Sequence, residues 1–372
     1  MSAHRPRIGV VYVGGTIGME PGPAGLVPSR DLPGRLGAAL AGVDGLPEIA
    51  IEAPVAPIDS AEARPADWVA IARLLAARGR EHDGREHDSR EHDGLVVLHG
   101  TDTMAFTASA LSFLLGPVER PVVVTGAQIP LGAPGSDALG NVVAALRFAA
   151  SGPREVGGPC EVGGPCEVGG PCEVGGPCEV GLAFAGTLYR GNRATKVSSR
   201  RLAAFDSPDC PPLAGAGAGA GVPVPALPVR AAGPEILDYD AAAGKVAVLR
   251  AVPGLAAGMV EAVLATAPRA LILECYASGT VPALDGALAR LLRAAGDAGC
   301  VVVATSQALH GGVRLETYAA GSALLDAGVV GAGDMTFEAT FAKLHHLIAL
   351  GLPPPAIRQR IGMNLAGEIT DR

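Results

Sequence analysis

The sequence has few aromatic residues and little charge. Phenylalanine, tryptophan and tyrosine make up 3% of its 372 residues and charged residues 18%, whereas hydrophobic residues make up 49%. With so few large rings, we expect helices that pack closely on small side chains around a large core. The formal net charge of −8, with no basic stripe that carries interleaved aromatics, argues against nucleic-acid binding.

Long hydrophobic runs are also missing. No uninterrupted stretch approaches the roughly 18 apolar residues that a membrane-spanning helix needs. The first apolar run, Ile8–Val13, has only six residues and leads straight into a glycine turn, which argues against a secretory signal. We therefore expect a protein without membrane segments that resides in the cytoplasm.

The seven cysteines do not form an even set. Four belong to a six-residue repeat, Cys160, Cys166, Cys172 and Cys178, and the others are Cys210, Cys275 and Cys300. We interpret them as reduced thiols in a reducing compartment. Soft-metal binding or interchain disulfides at the four repeat cysteines form the alternative.

Two stretches are short tandem repeats. Residues 80–94 repeat Arg-Glu-His-Asp at a period of five, and residues 155–178 repeat Glu-Val-Gly-Gly-Pro-Cys. Neither period matches a solenoid that could bury a core. We interpret residues 80–89 and 157–180 as low-complexity inserts. The five-residue spacing of His82, His87 and His92 suits neither a strand face nor a helix stripe, so no metal site is predicted there.

Two strand ends carry hydroxyl side chains. An apolar strand over residues 95–98 is followed by Thr101 and Asp102, and then by apolar residues at helical spacing from Met104. Another strand, residues 7–13, ends in Gly14-Gly15-Thr16-Ile17-Gly18. Ligands of open α/β sheets bind at this end of the strands. The alternative is that Thr101 and Asp102 are simple helix caps.

The glycine turn does not match the common nucleotide-binding patterns. Its spacing is Gly-Gly-x-x-Gly, which differs from the dinucleotide fingerprint Gly-x-Gly-x-x-Gly, and the Lys-Ser/Thr ending of a phosphate loop is missing. The glycines permit tight turning and close approach to a ligand, and they leave Thr16 as the reactive side chain of the turn.

The order of elements predicts an α/β protein with two domains. Strands are expected at 7–13, 95–98, 121–125, 181–186, 245–250, 270–274 and 300–305. Helices are expected at 31–41, 66–78, 103–115, 138–149, 255–265, 284–297, 318–327 and 336–350. Such alternation indicates mostly parallel sheets covered by helices. We expect an N-terminal catalytic α/β domain over residues 1–221, a linker over 222–244 and a smaller C-terminal α/β domain over 245–372.

Five stretches carry a family resemblance: residues 12–19, 98–105, 124–131, 188–196 and 333–340. With these motifs the chain resembles the bacterial L-asparaginase family, in its type I, cytoplasmic branch, from about residue 7 to residue 368. The resemblance implies a threonine nucleophile, Thr16, that attacks the side-chain amide of asparagine and forms an acyl-enzyme. It also implies a triad of Thr101, Asp102 and Lys196. Whether Lys196 acts as a neutral base or as a cation that orients the other two is left open.

The resemblance also implies the substrate-binding residues. Ser60 is expected to hold the α-carboxylate, with Asp59 beside it, although an ordinary helix-initiating turn is the alternative. Thr101 and Asp102 are expected to contact the substrate, and Asp102 to bind its α-ammonium group. Thr280 stands where relatives often have an asparagine that reaches a neighbouring subunit's site. His99 is interpreted as a packed histidine, not a base.

Two further positions, besides Thr280, depart from the family pattern. Many members have a tyrosine in the loop after the glycine turn, whereas this chain has Leu26, which puts the activation of Thr16 in doubt. Glu274 stands where enterobacterial type I enzymes have an arginine that binds effector asparagine. We therefore expect that effector site to be absent or altered.

The predicted function is hydrolysis of L-asparagine to L-aspartate and ammonia by a homodimer or homotetramer without metal or cofactor. Three alternatives stay open: a glutaminase-asparaginase, the amidase subunit of a transfer-RNA amidotransferase, and a non-catalytic amino-acid binding protein. The first differs by a single methylene, which is worth only about 1–3 kcal/mol in a pocket. The second needs a partner subunit, and the third is consistent with the loss of the loop tyrosine.

Overall fold

The computed structural model describes residues 5–22, 25–29, 31–53, 56–78, 92–151, 178–215, 227, 236–242 and 245–370. The chain divides into two compact units. The first comprises Met1–Ala63, Ala70–Val224 and Ala231–Glu235, and the second comprises Arg64–Val69, Pro225–Arg230 and Ile236–Arg372. Three predicted segments lie wholly or mostly outside the described residues: the insert at 80–89, the insert at 157–180 and the linker at 222–244. The domain boundaries stay a prediction.

The first unit is built on a six-stranded sheet. The strands of the whole unit, in chain order, are β1 (Arg7–Tyr12), β2 (Met19–Gly22), β3 (Gly25–Pro28), β4 (Glu48–Glu52), β5 (Gly94–Leu98), β6 (Val122–Thr125), β7 (Val180–Phe184), β8 (Thr187–Arg190), β9 (Thr195–Lys196) and β10 (Phe205–Asp206). The sheet order is β4-β1-β5-β6-β7-β8, and every pair is parallel except β7 with β8. β2 pairs with β3, and β9 with β10, as separate antiparallel ribbons.

Helices cover this sheet on both faces, as expected for strands that are apolar throughout. They are α1 (Leu32–Leu40), α2 (Pro65–Ala77), α3 (Met104–Leu114) and α4 (Ala138–Ala150), of which α2 is divided between the two units after Val69. The register places Tyr12 opposite Leu98, and Leu98 opposite Thr125. β1, β5 and β6 therefore end at the same sheet edge, and the segments that follow them are brought together there.

The second unit is a four-stranded parallel sheet with helices packed on it. It contains β11 (Val246–Arg250), β12 (Ala270–Cys275), β13 (Val301–Ser306) and β14 (Val330–Gly331), in that order, with α5 (Ala257–Leu264), α6 (Ala287–Asp297), α7 (Ala319–Asp326), α8 (Phe337–Ala349) and α9 (Pro354–Ile361). Separate hydrophobic clusters fill its two faces. No helix within the described ranges is long and apolar enough to cross a membrane.

Every strand and helix predicted from the sequence is present within three residues of its expected bounds, and the α/β class with mostly parallel sheets is confirmed. The largest shift is the start of α6, which begins at Ala287 instead of residue 284. Leu284, Asp285 and Gly286 have φ of 53°, 53° and 78°, so this left-handed turn excludes them from the helix. The sequence pattern did not predict the short strands β2, β3, β4, β8, β9, β10 and β14 or helix α9.

Candidate active site

The glycine turn after β1 packs tightly against two neighbouring loops. Gly14 has φ of 136°, and a Cβ atom there would lie 2.1 Å from the Ile58 carbonyl oxygen. A Cβ atom on Gly15, at φ of 98°, would lie 2.3 Å from the Gly100 Cα atom. Only glycine fits such positions. The turn therefore places half-buried Thr16, the first residue of a 3-10 turn, beside the segments that follow β4 and β5.

Thr101, Asp102 and Lys196 form one hydrogen-bonded group. The Lys196 Nζ atom donates to Thr101 Oγ1 at 2.8 Å and to Asp102 Oδ1 at 2.7 Å. Thr101 is only 5% exposed, whereas the Asp102 side chain is 65% exposed and that of Lys196 20%. Such an exposed ion pair adds little stability. It does hold a cation against a buried hydroxyl while the carboxylate stays accessible to a ligand.

Lys196 reaches this group because it lies on the two-residue strand β9. It pairs there with Phe205 of β10, and the preceding residues Asn192 and Arg193 are buried. Lys196 and Thr101 are 95 positions apart in the sequence. The structure therefore brings together three of the four residues expected to be catalytic, and the fourth, Thr16, lies on the turn that packs on Gly100.

Ser60 lies beside Gly100, next to the segment that carries Thr101 and Asp102. A Cβ atom on Gly100 would be 2.3 Å from Ser60 Oγ, and the Ser60 carbonyl accepts a hydrogen bond from Thr103 Oγ1 at 2.8 Å. Asp59 instead caps the short 3-10 turn Ser60–Glu62, since its Oδ1 accepts from the Ala61 N–H at 3.0 Å. Asp59 thus caps this turn, and its contact with the substrate stays a prediction.

His99 and Leu26 have contrasting environments. His99 is buried, with Nδ1 2.8 Å from the Gly100 carbonyl and Nε2 2.9 Å from Thr107 Oγ1, as expected of a packed histidine. Leu26 lies on β3 and is 54% exposed. Within the described part of the chain, no side chain hydrogen-bonds to the Thr16 hydroxyl, so none of the described residues takes the place of the missing loop tyrosine.

Two further predicted positions, Thr280 and Glu274, belong to the second unit. Thr280 closes a tight turn after β12, where its carbonyl accepts from the Tyr276 N–H at 2.8 Å. Glu274 forms an ion pair with Arg250 at 3.2 Å. The carboxylate at this position is thus already paired with an arginine of the same sheet, and the absence or alteration of the effector site stays a prediction.

The buried cysteines of the second unit are poor nucleophiles. Burial raises the pKa of Cys275 to about 12 and that of Cys300 to about 11. Both thiols, and that of Cys210, are free of disulfides. Because the thiolate is the reactive form, neither Cys275 nor Cys300 is suited to nucleophilic catalysis at neutral pH.

Sequence reasoning missed one residue of the site, Gln128. Its Oε1 atom accepts a hydrogen bond from Thr101 Oγ1 at 3.2 Å. The turn that carries Gln128 follows β6 and approaches β5 closely, since a Cβ atom on Gly126 would lie 2.2 Å from the His99 carbonyl oxygen. The available signal was its place in the motif at residues 124–131, directly after a predicted strand.

Comparison with known proteins gives a consistent result over both units. The family model described as Asparaginase, N-terminal, matches residues 7–162 and 175–224, and that described as Glutaminase/Asparaginase C-terminal domain matches residues 245–361. The chain is 37% identical to L-asparaginase 1 of Escherichia coli (strain K12), over 98% of each chain. It is 33% identical to the 60 kDa lysophospholipase of Mus musculus, over 98% of this chain and 62% of that one.

A solved structure has the same fold over nearly the whole chain. The crystal structure of L-asparaginase I from Vibrio cholerae superposes with a TM-score of 0.78 at 33% sequence identity, covering 99% of this chain and 100% of that one.

Proposed function

The chain belongs to the asparaginase family, and from this premise we propose that it hydrolyses L-asparagine to L-aspartate and ammonia. The observation that carries the proposal is the hydrogen-bonded group of Lys196, Thr101 and Asp102 beside the Thr16 turn. Amide hydrolysis needs a nucleophile and a proton carrier for the leaving nitrogen, and these residues supply both.

In the proposed reaction, Thr16 Oγ attacks the side-chain amide carbon of asparagine. The Thr16 hydroxyl gives up its proton, the C–N bond breaks, the nitrogen leaves as ammonia after it gains one proton, and a β-acyl ester on Thr16 is left. Water then cleaves the ester to give aspartate and restores the Thr16 hydroxyl. Lys196 Nζ donates hydrogen bonds to both Thr101 and Asp102, so it can pass a proton through Thr101 to the departing nitrogen and take up the proton that Thr16 loses. This supports an orienting and proton-donating lysine over a neutral base.

The substrate's charged groups have matching partners. The exposed Asp102 carboxylate can bind the α-ammonium group, and the Ser60 hydroxyl can bind the α-carboxylate. Thr280 would complete the site of a neighbouring subunit, and for this reason we propose a homodimer or homotetramer. A cytoplasmic location also belongs to this proposal, since the relative in Escherichia coli is an L-asparaginase 1.

The test is a steady-state assay of the purified chain. Ammonia release is measured with L-asparagine and with L-glutamine, and fatty-acid release with lysophosphatidylcholine, in parallel with Thr101→Val as the inactive control. We expect turnover of asparagine that exceeds that of glutamine and is lost in the control. Comparable rates on both amides would indicate a glutaminase-asparaginase. Saturable asparagine binding without ammonia release would indicate a binding protein. Fatty-acid release without ammonia release would show that the substrate is a lysophospholipid and not asparagine.

A further inference from the structure

Asp137 stands at the N-terminus of α4 but does not cap that helix. A side chain at this position ordinarily accepts hydrogen bonds from N–H groups of the first turn, and the Asp137 carboxylate accepts none of these. Ser136 Oγ instead accepts a hydrogen bond from the Ala138 N–H at 3.1 Å. The carboxylate is therefore available for another task.

The carboxylate reaches back to the turn that follows β6. Its two oxygens accept from the Gln128 N–H at 3.1 and 3.0 Å, and Oδ1 accepts from the Ile129 N–H at 2.9 Å. Oδ2 also accepts from Asn141 Nδ2 at 2.9 Å. Ionised acceptors form the stronger class of hydrogen bond, so this half-buried carboxylate fixes the backbone of Gln128.

Asn141 extends the same network. Its Nδ2 donates to the Gly126 carbonyl at 3.0 Å, and its Oδ1 accepts from the Ala185 N–H at 2.9 Å. Asn141 is almost completely buried. The turn is thus held at Gly126 by Asn141, and at Gln128 and Ile129 by Asp137.

The fixed backbone determines where the Gln128 side chain goes. Its Nε2 atom donates to the carbonyls of Ser198 and Arg201 at 3.4 Å each, and a carbonyl can only accept. The amide oxygen is therefore the end that faces Thr101. Since the Thr101 oxygen already accepts from Lys196, its single hydrogen is directed to Gln128 and one lone pair stays free.

We propose that Asp137 is a positioning residue of the active site, which acts through Gln128 to orient the Thr101 hydroxyl. The inference rests on the proposed function, because the orientation matters only if Thr101 carries a proton during turnover. A displacement of about 1 Å in a reacting group can cost a hundredfold in rate. Asp137 touches neither Thr101 nor Lys196, so its effect must pass through Gln128.

The test is a double-mutant cycle on the full chain with Asp137→Asn and Gln128→Met. We expect Asp137→Asn to lower kcat about 10- to 100-fold with KM changed by less than about threefold. In the Gln128→Met background the same substitution should change kcat by less than about twofold, because the group it positions is already lost. Asp31→Asn, at the N-terminus of α1 where the carboxylate caps Gly34, is the matched control and should keep full activity.

Hydrogen exchange separates this inference from the proposed function. Exchange of the Gln128 and Ile129 amides should be at least tenfold faster in Asp137→Asn than in the parent, whatever the parent's substrate. A parent that releases no ammonia, with this faster exchange in the variant, would remove the proposed function and leave the hold of Asp137 on the Gln128 and Ile129 backbone. Unchanged exchange, or kcat losses that multiply in the double variant, would overturn the positioning role.

Discussion

Lys343 and Glu368 form an ion pair that is completely enclosed by the second unit. The Lys343 Nζ atom lies 2.6 Å from Glu368 Oε1, and both side chains are 0% exposed. Lys343 on α8 also donates to the carbonyls of Ile361 and Met363, and Glu368 accepts from the Leu365 and Ala366 N–H groups. Burial lowers the pKa of Lys343, and the charge of Glu368 opposes that shift. The pair ties the C-terminal segment to α8.

We predict that Lys343→Met lowers the free energy of unfolding by about 3–5 kcal/mol, because it leaves a carboxylate buried without its cation. The measurement is urea denaturation. The double variant Lys343→Met with Glu368→Gln should recover part of the loss, since Gln keeps an acceptor for the backbone N–H groups without the charge. A single variant as stable as the parent would show that the pair contributes nothing to stability.

Thr101 and Lys196 should behave as one catalytic unit. We predict that Thr101→Val and Lys196→Met each lower kcat on the order of a thousandfold, the scale of losing a nucleophile's activating partner. Because one hydrogen bond joins the two side chains, the double variant should be little worse than either single one. Far-ultraviolet circular dichroism checks the fold. Losses that multiply in the double variant would mean that the two residues act independently.

His345 should make stability depend on pH. It is buried against Trp68 and Phe341, and burial lowers its pKa from the usual 6.5. Between the lowered pKa and 6.5 the unfolded chain binds more protons than the folded chain, so the free energy of unfolding falls as pH falls below about 6.5. The slope contributed by one such group is at most about 1.4 kcal/mol per pH unit.

The comparison of His345→Phe with His310→Gln isolates this contribution. His310 is exposed, and His310→Gln is the control for removing a histidine from the second unit when urea midpoints are measured between pH 5 and 7. His345→Phe keeps a ring in the cluster and should flatten the curve. An equal slope in both variants would assign the acid sensitivity to other groups.

The tandem repeats should be dispensable. Deletion of Gly157–Val180 joins Val156 to Gly181 and restores the sequence Glu-Val-Gly-Leu at the start of β7, so Glu155 replaces Glu179 in its buried ion pair with Arg190. Deletion of Arg80–Ser89 leaves one repeat unit before β5. Each doubling of a loop costs only about 0.6 kcal/mol, so neither insert should have a large effect. We expect the double deletion to hydrolyse asparagine within a few-fold of the parent.

Size-exclusion chromatography and metal analysis of the parent and of the double deletion test the opposite view. A change in assembly, or metal bound in proportion to the four repeat cysteines, would show that the repeats have a function.

Several elements could not be read from local sequence for identifiable reasons. β4 has the short pattern Glu-Ile-Ala-Ile-Glu and lies at the sheet edge, where only β1 pairs with it. α9 begins with two prolines, which are typical of a helix start and equally of a loop. Tyr239 falls in the predicted linker but is completely buried and hydrogen-bonds to His346 at 3.0 Å. Its role depends on a partner 107 positions away.

The sequence by itself determined the α/β class, the strands that form both sheet centres and the two threonine turns. Those signals are local, because a strand buried on both faces is an apolar run and a tight turn needs glycine where it bends. The family motifs implied a triad of Thr101, Asp102 and Lys196, and only the tertiary structure added Gln128 and the hydrogen bonds that meet at Thr101. The sheet order and the position of β9 bring Lys196 and Gln128 to it, and hydrogen bonds across such distances in sequence leave no periodicity to read. For the same reason Lys343 reads as a polar helix residue, although the fold encloses it with Glu368.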